Sequence, residues 1–301
     1  MSSKPRPLPT KDGVGPSCVA LPAGPWRTMA EFLVQQFPAV SAETWLARMQ
    51  AGEVVDEHGV PVTPERSYQP HLRLYYYRAI ESEPRLPFDE VVLFQDEHIV
   101  VADKPHFMPV TPGGRYLQET LLVRLKRKLG IDTLAPIHRL DRETAGIVLF
   151  SIQPSTRGPY QGVFSQRTAT KHYQAVAPWR PDLAWPLTRQ SRLEEDEHFM
   201  QMREVPGEPN TETRIDVLKV QGDLALYALS PVTGRKHQLR VHCAALGLPI
   251  VNDLIYPQLF AADSDDHAKP LQLLAKGIEF TDPVTGQLRQ FTSQQALMLQ
   301  A

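Results

Sequence analysis

Cysteine is scarce in this chain of 301 residues, which has only Cys18 and Cys243. The two stand far apart in the sequence, so neither a disulfide framework nor a cysteine metal site is expected, and a reducing cytoplasm is the natural home. No apolar run approaches the ~20 residues needed to cross a bilayer, which argues against a membrane protein. The nucleotide-binding glycine motifs are missing as well. Neither sign of charge dominates: 32 Lys and Arg face 34 Asp and Glu, for a net charge of −2. That balance disfavours a nonspecific nucleic-acid coat protein. What remains, with 42% hydrophobic residues, is an ordinary globular composition long enough for one large domain or two smaller ones.

The charge is unevenly spread. Between Arg115 and Arg142 lie seven basic residues (Arg115, Arg124, Lys126, Arg127, Lys128, Arg139 and Arg142) against three acidic ones (Glu119, Asp132 and Asp141). Arg235, Lys236 and Arg240 form a second basic cluster, and Glu194 to Glu197 with Glu204 and Glu208 form an acidic counterweight. A basic working face with an acidic back would permit RNA binding; two ordinary solvated faces are the alternative.

Residues 1–25, rich in Pro, Gly and Lys without an apolar core, read as a disordered tail rather than a secretory signal. Residues 26–80 read as a small separate module. Met29, Phe32, Leu33 and Phe37 recur at helical spacing, and Trp45, Leu46 and Met49 do so in a second helix starting at Ser41. A hairpin through Val54-Val55 and Val60 to Val62 and a strand at Leu74 to Arg78 follow, and Glu81 to Pro87 is the linker. The larger domain spans 88–301. It opens with strands at Val91 to Phe94 and Ile99 to Ala102, the second ended by Lys104-Pro105. An amphipathic helix follows, with Leu117, Leu121, Leu122, Leu125 and Leu129 inward and Arg124, Lys126, Arg127 and Lys128 mostly outward. Later elements are a helix around Thr156 to Arg167, strands at Lys171 to Val176, Thr213 to Val220 and Leu224 to Leu229, and a helix from Gly234 stopped at Gly247. A strand pair from Leu271 closes the chain, and Trp179 to Pro209 receives no chemistry. His237 and His242 are five apart, on different faces of such a helix, so shared metal ligation is not expected.

The run Ile147-Val148-Leu149-Phe150 reads as a short buried strand. Before it stands His138-Arg139-Leu140-Asp141-Arg142-Glu143-Thr144-Ala145-Gly146, with Thr144 and Gly146 as turn residues. Asp141 lies between Arg139 and Arg142, which would keep its carboxylate ionised and oriented, as a nucleophile or base requires. A salt-bridged turn is the plainer alternative. Two further blocks bear on the choice. One is Phe164, Arg167, Lys171 and Tyr173, and the other is Gly234-Arg235-Lys236-His237-Gln238-Leu239-Arg240-Val241-His242. In order and spacing, the three blocks resemble the signatures of the RluA-type pseudouridine synthases, over about Phe88 to Phe291.

The resemblance implies an α+β domain with a mixed, largely antiparallel sheet and a cleft with Asp141 at its floor. It implies that Asp141, Tyr173 and Arg240 are catalytic: Asp141 as nucleophile at the anomeric carbon or as base at the sugar 2′ position, Arg240 pairing with it, and Tyr173 stacking on the base. Arg139 is expected to fill the space left by a flipped uridine. His138, Arg142, Lys171, Arg235, His237 and Gln238 are expected to contact the substrate. Folded ribosomal or transfer RNA is the expected partner of a monomer needing no cofactor or metal. Residues 26–80 resemble the small alpha-L RNA-binding module, in degenerate form, since Arg48 is its one basic residue on the second helix, near Glu43. Ala145, Lys236 and Leu274 depart from common family residues (Ser, Thr or Ser, and His). Two rivals stay open: a hydrolase using Asp141 with Glu143 as second carboxylate, and a non-catalytic RNA-binding or ribosome-assembly protein on the same fold.

Overall fold

The computed structural model describes residues 8–78, 83–198, 200–260 and 266–300. Two compact units divide the chain. The first comprises 1–83 with 112–118 and 123–132, and the second comprises 84–111, 119–122 and 133–301. Glu81 and Ser82 of the expected linker lie outside the described residues.

In the first unit, β1 (Ser17–Ala20), α1 (Met29–Gln36), α2 (Ala42–Gln50), β2 (Val54–Asp56) and β3 (Arg73–Tyr76) follow in order. Both helices begin where a hydroxyl supplies an acceptor: Thr28 takes the Glu31 N–H and Ser41 the Thr44 N–H, each at 3.2 Å. Their apolar stripes meet in one core, with Met29, Phe32, Leu33, Trp45 and Met49 buried against Val54, Leu74 and Tyr76. One expectation needs correction. Ser17–Ala20 lies within the stretch read as a disordered tail, yet it pairs antiparallel with β3. Alternate burial along it and the fully packed Leu21 supply what a four-residue segment cannot signal alone. The expected hairpin forms: Val55 bridges Pro61, with the Val62 N–H donating to the Val54 carbonyl at 2.9 Å and the Asp56 N–H to the Val60 carbonyl at 3.0 Å. The Asp56 carboxylate closes its turn by accepting the N–H groups of His58 and Val60 at 2.9 and 3.0 Å.

The second unit is built on one sheet. Its strands are β4 (Val91–Gln95), β5 (Ile99–Lys104), β6 (Ala135–Pro136), β7 (Ala145–Ser151), β8 (Thr170–Pro178), β9 (Leu187–Glu195), β10 (Met202–Val205), β11 (Thr211–Gln221), β12 (Leu224–Pro231), β13 (Leu273–Thr281) and β14 (Leu288–Thr292). Between them run α3 (Leu121–Leu129), which crosses the division of the units, α4 (Arg157–Ser165) and α5 (Gln238–Ala245). The order is β10-β9-β11-β12-β8-β13-β7-β5-β4, with β14 on β13 and β6 on β7. Every pairing is antiparallel except β13 with β7, so the sheet is mixed and largely antiparallel. Strands β5 and β7 are buried at every residue, as the apolar runs Ile99 to Ala102 and Ile147 to Phe150 require, and β5 ends in the buried charged pair Asp103 and Lys104. One cluster joins Ile99, Val101, Ile147 and Leu149 to Tyr160 and Val163 of α4; another joins Ala175, Tyr227 and Leu229 to Leu239 and Cys243 of α5.

The structure corrects or completes the sequence expectations at five further places. Gly146 lies inside β7 rather than in the turn before it. Helix α5 starts at Gln238, not Gly234, because His237 takes a left-handed backbone with φ +54°. Helix α3 starts at Leu121, and Lys126, expected outward, is buried. The stretch left without assignment holds β9 and β10, which extend the sheet. Leu274 is fully buried beside Ala145, Val176 and Leu226, so a core contact occupies that position.

Gly146 is where β7 and β13 come closest. Its φ is +114°, and a Cβ there would overlap the Ala275 backbone. Gly222, in the turn between β11 and β12, has φ +61° with open space around it. Gly222→Ala is therefore expected to lose only the left-handed penalty of ~1–2 kcal/mol, whereas Gly146→Ala is expected to lose ~3 kcal/mol or more, because a packed backbone must also move. Equilibrium urea unfolding of the two variants beside the parent checks the contrast.

Candidate active site

Asp141 lies on the loop that enters β7, and polar groups from the loop after β5 grip that loop. Lys104, at the end of β5 and fully buried, donates to three carbonyls: Pro105 at 3.0 Å, Met108 at 2.7 Å and Arg142 at 3.0 Å. Burial brings its pKa down to about 7, against the opposing pull of Glu143 and Asp141. The His106 ring lies 2.6 Å from the Glu143 carbonyl through Nδ1, and burial lowers its pKa to about 4. Within the loop, the Thr144 N–H donates to the Asp141 carbonyl at 3.2 Å. The carboxylate's main chain is thus fixed on both sides while its side chain stays 29% exposed.

Asp141 opens into a pocket of about 120 Å³, lined by Arg139, Lys171, Tyr173, Arg235, His237, Gln238 and Arg240 among others. That is well below the ~300–1,000 Å³ of sites for drug-sized ligands and suits one small group. Arg240 reaches Asp141 Oδ2 with Nη1 at 3.5 Å, and His237 Nε2 stands 3.7 Å from the same oxygen. The guanidinium also meets a second carboxylate, that of Asp253. It is only 2% exposed and bonds Asp253 twice, Nε to Oδ2 at 2.8 Å and Nη2 to Oδ1 at 2.7 Å. Burial opposes its charge, but the Asp253 bonds and the nearby Asp141 together hold its pKa above the ordinary value. Among the described residues Nη1 has no hydrogen-bond partner, and Arg240 lines the pocket.

Tyr173, on β8, presents its ring to the same space. Burial and then the Asp141 charge push its phenol pKa up, so the group is a hydroxyl rather than a phenolate near neutral pH. Lys171 donates to the Thr233 carbonyl at 3.0 Å, and burial followed by Arg167 lowers its pKa. Gln238 is fully used inside the protein. Its Oε1 accepts from Thr233 Oγ1 at 2.7 Å and the Arg235 N–H at 3.1 Å, and its Nε2 donates to the Glu212 carbonyl and Thr213 Oγ1. It braces the loop before α5. Among the described residues, the Arg139 and Arg235 side chains line the pocket without a protein partner.

Two of the expected substrate contacts are placed elsewhere. The His138 ring stacks on Phe164 at 4.4 Å and its Nε2 accepts the Leu149 N–H at 3.1 Å, while burial and then Lys171 bring its pKa down to about 3. Arg142 pairs with Glu143 at 2.9 Å, outside the pocket lining, which also occupies the carboxylate that a two-carboxylate hydrolase would need. In the other direction, Lys104, His106, Asp253 and Tyr256 were not singled out from sequence. Asp253-Leu254-Ile255-Tyr256 carries a weak signal, an acidic residue and a tyrosine just past an apolar run, but nothing local says which helix they meet. Among the described residues no three His, Cys, Asp or Glu side chains are grouped to hold a metal ion, and no helix is long and apolar enough to cross a membrane.

Behind α5, His242 is fully buried among hydroxyls, with Nδ1 2.9 Å from Thr213 Oγ1 and Nε2 3.0 Å from both Ser191 Oγ and Thr211 Oγ1. Burial lowers its pKa to about 4, with Glu204 opposing. The unfolded chain takes up this proton near pH 6.5, the folded one only near 4. The stabilisation is therefore complete above 6.5 and is lost as pH falls toward 4, by ~3 kcal/mol. Melting temperatures between pH 7.5 and 4 should fall less steeply for His242→Gln than for the parent. At pH 7, Asp253→Ala should cost ~3–5 kcal/mol in urea unfolding, because it strands a buried guanidinium.

Comparison with known proteins identifies the family. Residues 98–245 match the RNA pseudouridylate synthase family. RluA of Haemophilus influenzae, named a dual-specificity RNA pseudouridine synthase, is 30% identical over 222 residues, 71% of this chain and 97% of that one. A relative in Synechocystis, named an uncharacterized RNA pseudouridine synthase, is 28% identical over 233 residues, 76% of this chain and 79% of its own. The tRNA pseudouridine(31) synthase of Saccharomyces cerevisiae is 29% identical over 226 residues, 67% of this chain and 55% of its own. Among solved structures, human RNA pseudouridylate synthase domain containing 1 superposes with a TM-score of 0.58 at 21% identity, covering 73% of this chain and 94% of that one, which shows the fold. The chain belongs to the RluA-type pseudouridine synthases and is an RNA pseudouridine synthase, an isomerase that converts uridine to pseudouridine.

Proposed function

We propose that Asp141 is the reactive carboxylate of this isomerase, that Arg240 and Tyr173 act with it, and that the substrate is a uridine in folded ribosomal or transfer RNA. The carrying observation is the one pocket lined by Asp141, Tyr173 and Arg240, whose Nη1 approaches Asp141 without hydrogen-bonding it. Isomerisation breaks the N1–C1′ bond, turns the uracil and joins C5 to C1′, with the C5 proton lost and one gained at nitrogen. Asp141 serves either as nucleophile at C1′ or as base at the 2′ carbon. Arg240, relieved of its desolvation by Asp253, attracts and aims that carboxylate. Tyr173 covers one face of the uracil and assists removal of the C5 proton.

The target must first leave its stack, which costs a few kcal/mol and least in loops. Arg139 and Arg235, free of protein partners, are the groups we assign to the vacated space and the phosphates. The whole pocket comes from the second unit, and we read the protein as a monomer working in the cytoplasm, where Cys18 and Cys243 stay free. Residues 26–80 we read as a weak RNA-binding module.

Pseudouridine mapping of total RNA tests this reading, using cells that lack the protein and cells restored with the parent or with Asp141→Asn. One or more ribosomal or transfer RNA sites should vanish, return with the parent and stay absent with Asp141→Asn. On purified RNA the rate should drop by more than ~10³-fold, the scale of losing a nucleophile or essential base. A site restored by Asp141→Asn would sink the assignment, and loss confined to messenger RNA would sink the substrate class.

A further inference from the structure

The loop after α5 reaches the pocket twice: Asp253 holds Arg240, and Tyr256 touches His237. We propose that Tyr256 is a positioning residue for the isomerisation, its hydroxyl fixing His237 as the neutral tautomer whose Nε2–H faces Asp141. This inference rests on Asp141 being the reactive carboxylate.

The hydrogen-bond inventory carries the argument. The Tyr256 hydroxyl accepts the Met202 N–H at 2.7 Å, which uses one lone pair, and lies 2.9 Å from His237 Nδ1. Among the described residues its single proton has one acceptor within reach, that Nδ1. An imidazole that accepts at Nδ1 carries its own proton on Nε2, the nitrogen 3.7 Å from Asp141 Oδ2. The opposite tautomer would turn a lone pair toward the carboxylate and leave a buried phenol proton without an acceptor. Burial keeps His237 neutral by lowering its pKa, against the pull of Asp141. The groups facing it are Asp141 from the loop before β7, Lys236 and Arg240 from its own segment, and Asp253 and Tyr256 from the loop after α5.

The surroundings hold this arrangement in place. The Tyr256 ring meets the His237 ring edge-on at 5.6 Å and 87°, and the Arg240 guanidinium lies 5.4 Å from the tyrosine centroid. His237 itself sits at φ +54°, a conformation a histidine keeps only where its neighbours require it. Arg240 and His237 thus approach one carboxylate oxygen at 3.5 and 3.7 Å. Both distances exceed a hydrogen bond, so the carboxylate is aimed electrostatically while its lone pairs stay available to substrate.

Tyr256→Phe keeps the ring packing and removes only the hydroxyl. With RNA from cells lacking the protein, labelled with tritium at uridine C5, tritium release should show kcat reduced roughly tenfold and KM changed less than twofold. In a His237→Gln background the same substitution should have no further effect on kcat, since its route to Asp141 is gone. Two-bond proton–nitrogen spectra of ¹⁵N-histidine protein, assigned by His237→Gln, should place the parent's proton on Nε2. They should show that state lost in Tyr256→Phe. Additive effects of the two substitutions, a change confined to KM, or a proton on Nδ1 in the parent would overturn the inference. Asp141→Asn is measured beside them: activity retained there overturns the reading of Asp141 itself, whereas an inactive Asp141→Asn with an additive cycle overturns only the role of Tyr256.

Discussion

A guanidinium almost wholly removed from water organises this pocket. Arg240 could not remain buried and charged alone, and Asp253 supplies the two bonds that neutralise it. Those bonds occupy Nε and Nη2 and leave Nη1 turned toward Asp141, without a hydrogen-bond partner. Had both carboxylates bonded the arginine equally, Asp141 would be locked into a structural ion pair. One carboxylate is bonded and the other only faced, which separates holding the cation from presenting the anion.

The rest of the unit serves that asymmetry. Helix α5 is seated on the sheet by Leu239 and Cys243 on one side and by the His242 hydroxyl cluster on another, so Arg240 enters from a braced helix. Across the pocket, the parallel contact of β7 with β13 brings the Asp141 loop close to β8, which carries Tyr173 next to β13. Only glycine at position 146 allows that approach. Lys104 and His106 then fasten the loop through its carbonyls. Buried polar groups do this better than apolar packing, since each bond has a direction and an unmade one is costly.

Much of this was legible along the chain. The strands β5, β7, β8, β11 and β12 follow from apolar runs and alternation, α1 and α2 from periodicity behind a hydroxyl cap, and the helix stop from Gly247. The three blocks around Asp141, Tyr173 and Arg240 pointed to one family, and those residues share one pocket. The misreadings share a cause. His138 and Arg142 adjoin Asp141 in sequence, but the loop turns them to Phe164 and Glu143 instead of the cleft. The helix drawn from Gly234 begins only at Gln238, because a left-handed backbone at His237 has no reliable sequence signal.

Local rules of period, turn and charge act over a few residues and determined most elements, while the three sequence blocks pointed to the family. Contacts between residues remote in sequence were settled only by tertiary structure: Asp253 on Arg240, Tyr256 on His237, Ser17–Ala20 on β3 and Ala275 against Gly146. Each depends on where chain segments meet after the core has closed. The sequence by itself determined which chemistry the protein carries, and the closed fold decided which neighbours aim it, because burial alone sets what a charge must pair with.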